Sequence, residues 1–186
     1  MTENKKSPTK ALFETLAKLY KQGQLLLMDS DRLMGERGWE PMHTTAPAEF
    51  SYSLNSPERW YARWVCRFYR HKDESKTGQI LFVSIHFASD HDTEVDEPVV
   101  SAGRLLYEKL TADPGYEYWM CKSTFYGEHH KTLEDWQCWD NPGWVKNLKR
   151  IETFRVPLYE VTSSEKLKEL VIDRLLAVQE QEERSA

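Results

Sequence analysis

The sequence lacks the features that identify several common classes of protein. No apolar run approaches the ~20 residues that a membrane span needs, and residues 1–10 are polar, without the apolar stretch of a secretory signal. Its three cysteines are odd in number and show no paired spacing (Cys66, Cys121, Cys138), which favours free thiols over a disulfide framework. We therefore expect a soluble, cytoplasmic protein without a membrane partner.

Motifs for catalysis, phosphate binding and metal binding are also missing. No serine lies in a nucleophile elbow and no glycine-rich loop suits a phosphate. The acidic run 89–97 alternates carboxylates, but Val95 and Ser101 stand where a calcium loop needs glycine and a bidentate glutamate. His129 and His130 are adjacent, so they point in opposite directions in an extended segment. We predict no metal site and no cofactor.

The composition is that of an ordinary globular domain. Apolar residues make up 40% and charged residues 30% of the 186 residues, which suits one folded domain. The net charge of −5 does not favour nucleic acid as a partner. Seven Trp, nine Tyr and seven Phe are a large set, and aromatic side chains serve both cores and interfaces, which leaves a homodimer open. We predict a single domain over 1–186, frayed at 1–8 and 181–186.

Both ends of the chain carry the apolar periodicity of amphipathic helices. A Ser-Pro pair at 7–8 starts the first, and leucines at spacings of three, four or seven extend it from 12 to 33. We expect an interruption near Gly23 and an end around Gly35 to Gly38. A capping box at Thr162 and Glu165 begins the second helix, followed by an apolar stripe (Leu167, Leu170, Val171, Leu175, Val178).

The middle of the chain predicts strands. Residues 59–70 and 79–89 flank a polar turn and form a hairpin. Further strands are expected near 98–109, 116–126 and 150–160, with a weaker one at 49–54, and Pro157 should place its strand at a sheet edge. The order of helix, strands and helix predicts an α+β fold. It consists of an antiparallel sheet of about five strands with N- and C-terminal helices packed on one face.

The hairpin pattern also predicts a register. Placing Trp64 opposite Ile85 gathers one unbroken apolar face, which the helices can cover. The other face then pairs Arg63 with His86, and Arg67 with Phe82. This second face interleaves arginine with aromatic side chains. Such a mixture is typical of anion recognition, base stacking or a protein interface, although long side chains can also pack with their heads in water.

The predicted binding residues on that face are Arg63, Arg67, Tyr69 and His86. The leading interpretation is a non-catalytic binding or protein-interaction module, whose partner is a protein or an anionic small molecule. The alternative is a small enzyme acting on an anionic or nucleotide-like substrate. In that enzyme Arg63 and Arg67 hold the anion and His86 is the acid or base.

The segment 136–144 places three tryptophans around an Asn-Pro-Gly turn. Tryptophan is enriched at interface hot spots, but it is mostly buried in ordinary domains. The segment is therefore either a contact patch or a plug over the sheet, and the burial tendency favours the plug.

Overall fold

The computed structural model of the chain describes residues 7–44, 46, 62, 64–73, 78–87, 97–108, 135–140 and 147–177. Among these residues a long helix is followed by six strands and a second helix. The elements are α1 (Pro8–Glu36), β1 (Trp39–Pro41), β2 (Trp64–His71), β3 (Gln79–His86), β4 (Val99–Tyr107), β5 (Gln137–Asp140), β6 (Leu148–Pro157), a 3-10 turn (Leu158–Glu160) and α2 (Ser164–Leu167). After α2 the chain continues as a π-helix (Lys168–Ile172) and helical residues 173–177. We call residues 164–177 the C-terminal helix.

The strands form one antiparallel sheet in the order β1-β2-β3-β4-β6-β5. The predicted α+β fold is confirmed, with six strands rather than about five. The added strands, β1 and β5, have three and four residues, too few for a reliable alternating pattern. The expected strands at 49–54 and 116–126 lie outside the described residues.

Helix α1 begins at Pro8, as predicted, and runs for 29 residues without a break. The expected interruption at Gly23 is wrong, because this glycine has a packing role. A Cβ atom added there would lie 2.9 Å from the Phe87 ring, so Gly23 lets the helix lie close to the sheet. The helix ends at Glu36 and is followed by Gly38 at φ +85°, a backbone conformation that favours glycine. No helix in the described part of the chain is long and apolar enough to cross a membrane.

The C-terminal helix starts one residue later than its capping box predicts. Ser163 is the cap, and its hydroxyl accepts a hydrogen bond from the backbone N–H of Lys166 at 3.2 Å. The predicted apolar stripe is buried at Leu167, Val171 and Leu175, and Val178 lies outside the described residues. Ile172 and Leu176 are buried as well, because they lie next to Val171 and Leu175 on the same side of the helix.

Both helices pack on one face of the sheet, which we call the helix face. Its strand residues alternate along β2, β3, β4 and β6, and they form one core with the buried sides of the helices. The Arg174 guanidinium lies 4.1 Å above the Phe154 ring, which adds a cation–π contact. The buried strand side chains at the centre of this face are Leu81, Val83, Ile85, Val100, Ala102, Phe154 and Val156.

The opposite face, which we call the second face, is buried as well. Its apolar cluster contains Trp64, Cys66, Phe68, Ile80, Phe82, Leu105, Leu148 and Ile151. The sheet is therefore apolar on both sides along its central strands, and these strands do not alternate between buried and exposed residues. A strand buried on both faces gives a continuous apolar run instead.

This continuous burial explains why the predicted hairpin register is wrong by one residue. Trp64 pairs with His86, and Ile85 pairs with Val65. Trp64 and Ile85 are both buried, as expected, but they lie on opposite faces. Because a shift of one residue exchanges the faces of a strand, and both faces here are apolar, either register gathers an apolar surface.

The predicted edge position of Pro157 is also wrong, because β6 lies between β4 and β5. The short strand β5 pairs only with residues 150–153. Pro157 pairs with Val99 as the last residue of β6, beyond that stretch. A strand end tolerates a residue without a backbone N–H better than a strand centre does.

The tryptophan-rich segment contributes strand β5 to the sheet. Trp136 packs against Phe154, with ring centroids 4.7 Å apart, on the helix face. Trp139 packs against the core of the second face. Both are half-buried, while Trp144 lies outside the described residues. The two tryptophans thus extend both cores at the edge of the sheet.

Candidate functional site

Two of the four predicted binding residues, Arg67 and Tyr69, lie on the helix face, where they bind α1. Arg67 donates from Nε and Nη2 to the two carboxylate oxygens of Asp31 at 3.0 and 2.6 Å, and from Nη1 to the His43 carbonyl at 2.8 Å. The Tyr69 hydroxyl donates to Asp31 Oδ1 at 3.0 Å. All three donor nitrogens of Arg67 are therefore engaged within the fold, and its charge is compensated by a carboxylate.

The pKa shifts of these residues follow from the same contacts. Burial lowers the pKa of Arg67, but the hydrogen bonds and charge of Asp31 outweigh it, and the net shift is upward. Burial raises the pKa of Tyr69 well above its usual value, and the nearby Asp31 carboxylate raises it further. Arg67 remains charged and Tyr69 neutral at any working pH. Through Asp31 they fasten the C-terminal part of α1 to β2.

His86 lies on the second face, so the structure does not bring it together with Arg67 and Tyr69; Arg63 lies outside the described residues. His86 Nε2 is 3.0 Å from Ser84 Oγ, and that hydroxyl donates to the Val65 carbonyl at 3.1 Å. The donor and acceptor in this pair depend on the histidine tautomer. A hydroxyl has one proton to donate, so the Val65 carbonyl competes with His86 for it, whereas an activated serine directs that proton to histidine.

A second hydroxyl pair lies beside it on the second face. Ser101 Oγ and Thr153 Oγ1 are 3.1 Å apart, and Thr153 donates to the Ala102 carbonyl at 3.0 Å. Arg155 pairs with Ser101 across the ladder, and desolvation lowers its pKa to about 10. All these polar side chains are buried (Ser84, His86, Ser101, Thr153, Arg155). The hydroxyls of Ser84 and Thr153 donate to backbone carbonyls, which is the behaviour of buried structural groups.

Ionisable residues elsewhere in the described chain also pair within the fold. The buried Arg104 binds Glu152, which also binds Arg150, and Arg150 reaches Asp140 on β5. The exposed Cys138 lies beside this chain of charges and accepts a hydrogen bond that raises the pKa of Arg150. The residues that the structure describes contain no group of three His, Cys, Asp or Glu side chains that could hold a metal ion.

An open groove lies on the described surface, between α1 and the chain that follows β6. Its volume is about 690 Å³, within the range of ~300–1,000 Å³ for ligand pockets. The opposite wall is formed by the 3-10 turn, residues 161–164 and Leu167. The α1 wall is one side of the helix (Leu19, Gln22, Gly23, Leu25, Leu26, Asp29).

Hydrogen bonds fix the position of the two walls relative to each other. Arg32 Nη2 donates to Ser164 Oγ at 2.7 Å, and Arg37 binds Asp173 at 3.0 Å, so α1 and the C-terminal helix are joined beyond Asp29. The turn is held to the sheet by the Leu158 N–H, which donates to the Pro98 carbonyl at 2.9 Å. The groove lies where the two elements separate toward Leu19.

The groove has an apolar floor and an apolar rim. Gly23 and Leu167 are buried at its base, while Leu25 and Tyr159 are 50% and 64% exposed at its edges. Among the residues that the structure describes, the charged ones that line it are Asp29 and Glu97, both acidic. This is a surface for apolar groups accompanied by positive charge, and it does not suit the anion that the sequence predicts.

The sequence reasoning missed this groove, although it identified part of its α1 wall. Leu19 and Leu26 belong to the apolar periodicity of the N-terminal helix, which predicts a buried stripe. The groove could have been found from the apolar residues of this helix that lie outside the stripe. Leu25 and Met28 are such residues, and both are exposed. Apolar residues on more than one side of a helix exceed what packing on a single sheet face requires.

None of the known protein families, curated proteins or solved structures with which the chain was compared matches it, so its function has to be inferred from the site itself.

Proposed function

We propose that this protein is a non-catalytic interaction module that binds an apolar segment of another protein in the groove between α1 and the chain that follows β6. The groove's apolar walls carry the proposal. Leu25 and Tyr159 are held at its edges in contact with water, and burying such side chains against a partner is favourable. These exposed apolar side chains lie beside a preformed cleft, and short peptide segments commonly bind their protein partners in such apolar clefts.

The shape of the groove favours a chain segment over a compact small molecule. Its α1 wall extends from Leu19 to Asp29, which at the helical rise corresponds to ~15 Å. A partner lying along it can place several side chains in contact with the wall.

The enzymatic alternative has less support from the same geometry. Arg67 is engaged by Asp31 and by the His43 carbonyl, and His86 is hydrogen-bonded to Ser84 on the opposite face of the sheet. Neither arrangement supports an anion site with an adjacent acid or base.

The proposal is tested by selecting random 14-residue peptides on the immobilised protein and measuring their Kd by fluorescence anisotropy. Leu25→Gln removes an apolar side chain from the groove. Met28→Gln is the matched control, because Met28 is 57% exposed on the same helix and does not line the groove. Selected peptides should bind Leu25→Gln about tenfold more weakly, the loss typical of one good interface contact, and Met28→Gln as tightly as the unaltered protein.

The proposal fails if no peptide is selected, or if the two variants change the Kd equally. Circular dichroism melts of both variants give the necessary check on folding. Both residues are exposed, so neither substitution should lower the Tm appreciably.

A further inference from the structure

We infer that the segment accepted by this groove is a short amphipathic helix that carries lysine or arginine beside its apolar face. This inference rests on the proposed function and adds the chemistry of the partner. It reverses the sign expected from the sequence, which predicts an anionic ligand for the arginine-bearing sheet face.

The dimensions of the groove suit a helix. Its α1 wall is built from residues spaced three and four apart, from Leu19 through Gln22 and Leu26 to Asp29. A helix that uses anchors at positions i, i+4 and i+7 presents them over ~10.5 Å, which fits within the ~15 Å of that wall. Ridges of one helix can then pack into the groove beside another.

The charges of the groove select the sign of the partner. In the described part of the chain, the charged residues that line it are Asp29, on the α1 wall, and Glu97, just before β4. Arg32 approaches Asp29 at 3.9 Å, but its terminal nitrogens bind Glu36 and Ser164. A lysine or arginine beside the apolar anchors gains attraction from Asp29 and Glu97, whereas an acidic residue is repelled.

The overall charge acts in the same direction. The chain carries a net charge of −5, which steers a cationic segment toward the protein before contact. Salt screens both the steering and the contacts at the exposed rim. The preference for a basic partner should therefore weaken as ionic strength rises, while the apolar contribution should not.

A second copy of the chain is the competing occupant. The first half of α1, residues 8–22, contains no buried residue and carries Lys10, Lys18 and Lys21 against Glu14, a net charge of +2 from three positive and one negative side chain. It also exposes Leu12 and Phe13. Lys10 and Lys21 lie roughly opposite Leu12 and Leu19, at 100° per residue. Within residues 8–22, Lys10 lies about 60° from the exposed Phe13 and is the one lysine that close to an exposed apolar residue. This half of α1 therefore fits the groove less well than a helix with basic residues on both sides of its apolar face.

The test uses two synthetic 14-residue helices with the same leucine face, one with lysines and the other with glutamates on the flanking positions. Their Kd values are measured by anisotropy at low and at high salt. At low salt the Kd of the lysine helix should be lower than that of the glutamate helix by a factor of at least about five, the effect expected of two exposed ion pairs. The ratio should shrink in high salt.

Two double variants separate the groove from the total charge. Asp29→Asn/Glu97→Gln should abolish the ratio between the two helices. Asp135→Asn/Glu108→Gln is the control, because both residues are exposed, do not line the groove and give the same change in net charge. This control should keep the ratio.

Equal binding of the two helices, or equal effects of the two double variants, would overturn the inference and leave the interaction module standing. Binding of the selected peptides but of neither helix would do the same. If the selection also yields nothing, the proposed function itself fails. Sedimentation equilibrium completes the set, since a dimer that Leu25→Gln dissociates would identify a second copy as the occupant and overturn the inference.

Discussion

The two faces of the sheet are equally buried but use their polar residues differently. On the helix face, Arg67 and Arg104 are bound by the carboxylates of Asp31 and Glu152. On the second face, the buried hydroxyls of Ser84 and Thr153 donate to backbone carbonyls. On the helix face, the Asp31–Arg67 pair joins separate elements, α1 and β2. On the second face, the hydroxyls stabilise the sheet itself.

This difference shows that an arginine on a sheet need not belong to a recognition surface. The sequence predicts that Arg67 belongs to such a surface, because it alternates with aromatic residues along β2. Its partner, Asp31, is 36 residues earlier in the chain, and no local pattern connects the two. The surface with unused apolar area lies instead at the side of α1 that lines the groove, and Arg67 is not part of it.

The largest expected effects concern the claim that both faces are cores. Trp64→Ala on the second face should lower the free energy of unfolding by ~3–5 kcal/mol, and Ile85→Ala on the helix face by ~2–5 kcal/mol. Both side chains are buried, at 1% and 0% exposure. Urea unfolding followed by circular dichroism measures both.

A large cost for Ile85→Ala with less than ~1 kcal/mol for Trp64→Ala would contradict the second core, because truncating a truly buried tryptophan cannot be so mild. Similar costs would show that the sheet is stabilised from both sides.

The fold was more predictable than the site, for physical reasons that particular residues illustrate. The terminal helices and strands β2, β3, β4 and β6 follow from local periodicity, because their apolar residues recur at helical or strand spacing. The hairpin register could not be predicted from periodicity, because both faces of the sheet are apolar. Trp64 is buried on the second face and Ile85 on the helix face. Gly23 was misjudged because its role depends on Phe87, a contact distant in sequence.

The site could not be predicted because it is formed between segments. Leu25 and Tyr159 lie far apart in the sequence and line the same groove. Their meeting depends on tertiary bonds such as that between Arg32 and Ser164. The sequence pattern of either segment predicts only that this segment has an apolar side, not that the two sides face each other.

An intermediate effect is expected at the Arg67–Asp31 pair. The sequence alone leaves open an arginine whose head faces water, for which removal would hardly change stability. In the structure Arg67→Met leaves Asp31 without its bidentate partner, and Asp31→Asn leaves a nearly buried cation. Each should cost ~1–3 kcal/mol, less than for a fully buried pair because Asp31 is partly exposed.

A double-mutant cycle isolates the pair. Arg67→Met/Asp31→Asn should cost less than the sum of the single variants by ~1 kcal/mol or more, since the second change removes a group that has already lost its partner. Urea unfolding of the four proteins measures the coupling. Strictly additive costs would mean that the two side chains do not hold α1 against β2.

The smallest effect concerns Tyr69, through pH. Burial, reinforced by Asp31, raises the pKa of Tyr69 in the folded protein above its unfolded value of about 10. The folded state therefore keeps the proton that the unfolded state loses, so this contribution to stability is complete below pH ~10 and falls as pH rises beyond it. Tyr69→Phe removes the group, along with a hydrogen bond worth ~1 kcal/mol near neutral pH. Above pH ~10 the stability of the unaltered protein should fall more steeply than that of the variant, by up to ~1.4 kcal/mol per pH unit. Urea unfolding between pH 8 and 11 gives both curves.

Tyr159→Phe is the control, because Tyr159 is 64% exposed, and its curve should run parallel to that of the unaltered protein. If the stability of Tyr69→Phe also falls with pH in parallel with that of the unaltered protein, the fold does not hold the Tyr69 hydroxyl neutral beside Asp31. Tyr69 would then no longer support the contrast between the polar residues of the two faces.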